Sequence, residues 1–184
     1  MAPNSIKALE AIASPIRQEL ASALGHRPTT VTALAKQLGR TRQALYHHVG
    51  ILVAAGLVEP VGRGGPGRGR EETYRLAVSK VAAGPRPGSS EEIALAARAV
   101  AAMLRLTGRE LRLALDQPRL KRAGAGREVV AMRGKARLSE RELARLNTLI
   151  REVHTLLQQA KSRLRGKMYS VTLVVTPSRH VGDR

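Results

Sequence analysis

The chain has 184 residues, with 32 Lys and Arg against 14 Asp and Glu, a formal charge of +18, and no Cys, Phe or Trp. The missing cysteines exclude disulfides, thiolate metal sites and cysteine redox sensing. No apolar run spans a bilayer and no signal-peptide pattern opens the sequence, so the expectation is a soluble cytoplasmic protein without a membrane partner. A protein this basic meets a polyanion. A core restricted to Leu, Val, Ile and Ala favours helices. Residues 1–80 hold 11 basic and 5 acidic side chains and residues 81–184 hold 21 and 9, so the basic excess extends well beyond the first half.

Residues 6–13 read as a short amphipathic helix. Ser14-Pro15 reads as an N-cap and first helical position of a second helix, which places Ile16, Leu20 and Leu24 on one face and ends at Gly25. Thr30 caps a third helix with Val31, Leu34, Ala35 and Leu38 inward, and Gly39 breaks it. Thr41 caps a fourth helix running to about Ala55, with Ala44, Leu45, His48, Ile51, Leu52 and Ala55 inward. Gly56 follows as a left-handed stop. Helix, glycine turn, helix is the helix-turn-helix pattern. A two-stranded ribbon comes next: Leu57–Val61 and Glu72–Ala77, joined by the Gly/Arg tip GRGGPGRGR, form a wing. Residues 82–90 are a linker by composition.

A long helix then runs from Ser89 or Ser90 to about Asp116. Ile93, Ala97, Val100, Leu104, Thr107, Leu111 and Ala114 form a heptad-like seam on it. Met103, Leu106 and Leu113 widen its apolar surface, so the helix is expected to be covered on more than one side. Residues 119–137 are basic, with 127–132 a candidate strand. Ser139-Glu140-Arg141-Glu142 fits a capping box for a last helix carrying Leu143, Leu146, Ile150, Val153, Leu157, Ala160 and Leu164. Tyr169–Thr176 reads as a strand, with 127–132 as its candidate partner.

Side chains at the start and outer face of the fourth helix can reach base edges. Those positions hold Arg42, Gln43, Tyr46 and His47. Arg can bind guanine bidentately and Gln can do so for adenine. Tyr46 can contact sugar, a thymine methyl or phosphate. Thr41, Arg40 and Lys36 are candidate phosphate contacts. Arg63, Arg68 and Arg70 at the wing suit an electronegative minor groove. His48 faces inward and is read as a packing residue.

The run ASPIRQELASAL, then TTVTALAKQLG, then RTRQALYHHVGILVAAGLV and a wing resembles the ArsR-type winged helix-turn-helix repressors over residues 6–78. The resemblance implies that Arg42, Gln43, Tyr46 and His47 face DNA. Tyr46 departs from the small Ser or Thr usual there, and the cysteines of the metal-sensing members are missing.

His47 and His48 point about 100° apart on a helix and cannot chelate one ion together. No metal site, no cofactor and no catalytic residue is expected: nucleophile elbow, phosphate-binding glycine loop and HExxH are all missing. The expected fold is mainly helical with a small β component: winged domain 1–81, linker 82–90, and a helical dimerisation region 91–184 with a short β ribbon. The expected partners are double-stranded DNA, a second copy of the chain, and a small-molecule or protein effector acting on residues 90–184. The basic clusters 119–137 and 161–167 suit DNA-backbone contacts or an anionic effector. A low-specificity nucleoid or RNA-binding protein and a protein-interaction winged helix are the competing readings.

Overall fold

The computed structural model describes residues 5–25, 27–64, 71–77, 89–160, 163 and 165–177. The wing-tip residues Arg68 and Arg70, most of the 82–90 linker, Lys161 and Leu164 lie outside them. The chain divides into two units, residues 1–106 and 107–184.

The first unit begins with helices α1 (Ser5–Ile12) and α2 (Pro15–Leu24). Ser14 stands at the N-cap of α2 in extended conformation, but its side chain makes no capping bond. The junction is closed by α2 instead. Arg17 donates to the carbonyls of Ala11 and Glu10, and Gln18 Nε2 donates to Ile12 O at 2.7 Å. These bonds satisfy the carbonyls that the end of α1 leaves free. Gly25 ends α2 with a right-handed φ of −70°, so the left-handed stop expected of a terminal glycine is not used here.

Strand β1 (Thr29–Thr30) leads into α3 (Val31–Leu38), a turn, and α4 (Arg42–Ala54). Strands β2 (Val58–Gly64) and β3 (Glu71–Leu76) form the wing. The three strands make an antiparallel sheet in the order β1-β3-β2. The short β1, pairing Thr29 with Tyr74 and Thr30 with Thr73, was not legible as a strand. β2 is an edge strand with a bulge between Pro60 and Gly62, where a proline and a broken ladder are tolerated. Gly62, Arg63 and Gly64 belong to this strand, opposite Thr73, Glu72 and Glu71, and not to the loop at the tip.

Leu20, Leu24, Val31, Leu34, Leu45, Val49, Leu52, Leu57 and Val58 are buried in one cluster that joins the helices to the foot of the wing. Two inward assignments on α4 change. Ala44 is exposed, while Val49, four residues beyond Leu45, is buried.

Helix α5 (Ser90–Leu115) starts in a capping box, with Ser89 N–H donating to Glu92 and Glu92 N–H to Ser89 Oγ. Its buried face is Leu95, Ala96, Ala99, Ala102 and Leu106. Gln18 of α2 reaches the Ala99 carbonyl at 2.8 Å. Within the expected seam Ile93 is 55% exposed and Leu104 49%. Apolar residues surround this helix, and periodicity alone does not choose between two such faces.

The second unit contains the end of α5, an irregular basic segment 116–139, helix α6 (Glu140–Ala160) and an extended segment 167–177. The Ser139/Glu142 box caps α6 as expected, at 2.8 Å for Ser139 N–H to Glu142. The strands expected at 127–132 and 169–176 do not form, so this region lacks the short β ribbon among its described residues. The two segments meet through side chains and not through a backbone ladder. Glu128 accepts from Lys167 Nζ at 2.7 Å and Tyr169 OH at 3.2 Å, and its own N–H goes to Lys121 O. Thr172 bonds Thr107 at 2.7 Å. No described residue from 107 to 177 is buried.

Candidate nucleic-acid interface

Helix α3 begins where the Thr30 side chain accepts the Ala33 N–H at 3.2 Å. It ends at Gly39, whose φ of 61° is one that L side chains rarely adopt. Arg40 N–H bonds back to Ala35 O at 2.9 Å, closing the turn. Thr41 then caps α4 by accepting the Ala44 N–H at 3.3 Å. Burial of Leu34 and Ala35 on α3, and of Leu45, Val49 and Leu52 on α4, fixes the rotation of both helices.

That rotation leaves Arg42, Gln43, Tyr46 and His47 together on the exposed face of the first two turns of α4. Arg42/Tyr46 and Gln43/His47 are each four residues apart, so the two pairs form adjacent stripes. Thr41 and Lys36 are exposed nearby. The Arg40 guanidinium lies 3.8 Å from Glu19 of α2 and is turned toward that helix. Arg63 sits within β2, in register with Glu72. His48 lies between surface and core, with its Nδ1 buried and without a hydrogen-bond partner. Burial, with the charges of Arg17, His47 and Arg40, pushes its pKa below the ordinary histidine value.

The residue that sequence reasoning missed is Glu71. Its carboxylate accepts the Thr32 N–H at 3.0 Å and the Tyr46 hydroxyl at 3.1 Å. Burial raises its pKa, but bonds from Thr32, Tyr46 and Thr30 outweigh burial and hold it below the usual carboxylate range. Tyr46 thus keeps an exposed ring while its hydroxyl is engaged. The only sequence signal was an acid directly after a basic tip. Further along the wing, Arg75 pairs with Glu59 across the strands at 2.6 Å, and Tyr74 donates to Glu72 at 2.8 Å; burial, and then this bond, push Tyr74 up to about 12.

Among the described residues no three His, Cys, Asp or Glu side chains converge as metal ligands, and no described helix is long and apolar enough to cross a membrane.

A capped helix pair joined by a left-handed glycine turn and followed by an antiparallel wing defines a winged helix-turn-helix, the class of the DNA-binding transcriptional regulators. Residues 12–61 match the family described as helix-turn-helix domain, which agrees with the winged helix-turn-helix seen in the fold and supports a DNA-binding regulator. Among solved structures it is similar to an ArsR-like transcriptional regulator from Rhodococcus sp. RHA1, at 26% identity, with 59% of this chain and 88% of that one covered and a TM-score of 0.34. It is also similar to the multiple antibiotic-resistance repressor (MarR) from Listeria monocytogenes 4b F2365, at 20% identity, with coverages of 83% and 82% and a TM-score of 0.29. No curated protein matches the chain.

Proposed function

We propose that the chain is a homodimeric, sequence-specific repressor that reads a palindromic operator with α4 and a basic wing. The observation that carries this reading is the exposed quartet Arg42, Gln43, Tyr46 and His47 at the capped start of α4, beside a wing whose β2 carries Arg63. Arg42, Gln43 and His47 read base edges. Thr41, Lys36 and the wing arginines Arg63, Arg68 and Arg70 hold the backbone and the minor groove. Arg40 steadies the turn through Glu19 and adds a phosphate contact as its guanidinium swings outward.

Dimerisation is supported by α5. One apolar face is buried within the chain, and on the second Ile93 and Leu104 remain about half-exposed. A dimer that reads a palindrome needs its two α4 helices about 34–36 Å apart, one turn of duplex. The division of labour follows the sequence, with residues 1–81 reading DNA and 91–184 pairing and receiving an effector, in the cytoplasm. Arg119, Lys121, Arg122, Arg127, Arg133, Lys135 and Arg137 are all exposed and add contacts to flanking phosphates. Neutralising them should flatten the salt dependence of DNA affinity by about 0.9 in log–log slope per lost contact.

The test is competition binding with DNA fragments selected by the protein from genomic DNA. A repressor of this kind prefers its selected fragment to mixed-sequence duplex by about a thousandfold or more at physiological salt. Equal binding to both contradicts the reading and favours a nucleoid-type protein.

A further inference from the structure

We propose that Glu71 is the positioning residue of the reading surface, a carboxylate that locks the wing to the recognition helix through Tyr46. The proposal rests on the DNA-reading role of α4.

Three elements meet at this one side chain. Glu71 opens β3, the strand by which the chain returns from the wing tip. Thr32 is the second residue of α3, and its N–H is one of the donors that a helix start leaves without an intrahelical partner. The local cap does not serve it, because the Thr30 hydroxyl accepts from Ala33. The donor is taken by Glu71, 39 residues further on, where a negative charge also suits the positive end of the helix. Tyr46 reaches the same Oε1 from the second turn of α4, 25 residues away. Both bonds end on a charged acceptor, which makes them stronger than bonds between neutral groups.

The geometry gives Tyr46 a different role from its neighbours. Its hydroxyl is spent on the wing, so its contribution to DNA reading is the angle at which α4 and the wing are presented, with the ring as an apolar surface. The same anion stands at the root of a basic tip, where it disfavours indiscriminate phosphate binding. Loss of Glu71 should therefore lower discrimination between sequences more than it lowers affinity for DNA as such.

The experiment uses the full chain with Glu71→Ala, Glu71→Gln, Tyr46→Phe and the double variant Glu71→Ala/Tyr46→Phe. Amide hydrogen exchange and binding to the selected genomic fragment and to a mixed-sequence duplex are read in parallel. The lock predicts that Glu71→Ala speeds exchange at Thr32 and along β3 while α2 is unchanged. It predicts a loss of discrimination of about tenfold, the order of one charge-assisted hydrogen bond, with mixed-sequence binding kept or raised. Glu71→Gln, which retains an acceptor oxygen, restores most of the discrimination. Tyr46→Phe loses part of it and adds little on the Glu71→Ala background. An equal fall in both affinities with a lowered melting temperature, or additive losses in the double variant, overturns the proposal. If the wild-type chain shows no sequence preference, the repressor reading fails separately, and unchanged Thr32 exchange in Glu71→Ala overturns the lock.

Discussion

Residues 5–77 and residues 107–177 spend their apolar side chains in opposite ways. In the first region Leu20, Leu34, Leu45 and Leu52 are wholly buried, in a cluster that α1 to α4 and the foot of the wing complete without help. In the second, α6 carries Leu143, Leu146, Leu149, Ile150, Val153, Leu156 and Leu157, yet none is buried. Leu156 is 61% exposed, and Val171, Leu173, Val174 and Val175 of the extended segment are each near half-exposed. Apolar surface left open on this scale marks an interaction site. The contrast teaches that a single chain closes the core of its first region on its own, whereas its second region leaves apolar side chains open, which is the surface the proposed dimer would cover.

The sharpest way to break the comparison is to cut each region at one leucine. Leu52→Ala should lower unfolding free energy by about 2–5 kcal/mol in denaturant titration, independently of protein concentration. If the proposed second copy covers α6, Leu157→Ala should show a loss that shrinks as the protein is diluted. A concentration-independent loss of equal size at both sites contradicts the contrast. Next in size, Ile93→Glu with Leu104→Glu should weaken self-association by about a hundredfold, since a charge in an apolar contact costs several kcal/mol. Sedimentation should then show a monomer with the helix content kept, and an unchanged mass removes the outward face of α5 from the interface.

A smaller effect is expected at the caps. Thr41→Ala and Thr30→Ala should each cost about 1 kcal/mol in thermal unfolding, whereas Ser14→Ala, whose hydroxyl caps nothing, should be near neutral. The smallest is the response to acid. The folded pKa of His48 lies below 6.5, so its contribution is present above 6.5 and is lost as pH falls through the folded value. Glu128, held at about 2 against 4.5 chiefly by the Lys167 and Lys121 bonds, contributes stability present above 4.5 and lost as pH falls toward 2. Hydrogen exchange from pH 7 to 3 should loosen α4 before the 121–128 loop. The reverse order argues against both assignments.

Much of the reading head was legible because its signals are local. Thr30, Thr41, Gly39 and Gly56 act on residues within one turn, and both glycines adopt the left-handed conformation their positions demanded, with φ of 61° and 69°. The Ser139/Glu142 box was legible for the same reason. What was not legible depends on distance in sequence. The face of α5, the pairing of β1 with β3 and the Glu71–Tyr46 bond are set by tertiary packing. The β-branched run 169–176 announces extended backbone, but propensity does not supply a strand to pair with. The inner face of α4 was half legible: Leu45 and Leu52 follow the period, while Val49 and Ala44 traded places because the helix is apolar around much of its girth.

The central claim is that α4 reads sequence and the wing mainly supplies charge. Its most direct measurement is the affinity ratio between the selected genomic fragment and mixed-sequence duplex, for the wild type, Arg42→Ala with Gln43→Ala, and Arg68→Ala. The account predicts that the α4 variant loses about tenfold or more of the ratio, because each base-edge contact discriminates by about 1–3 kcal/mol. It predicts that Arg68→Ala weakens binding to both duplexes alike. A ratio unchanged by the α4 variant, or lowered equally by all of these substitutions, would contradict it.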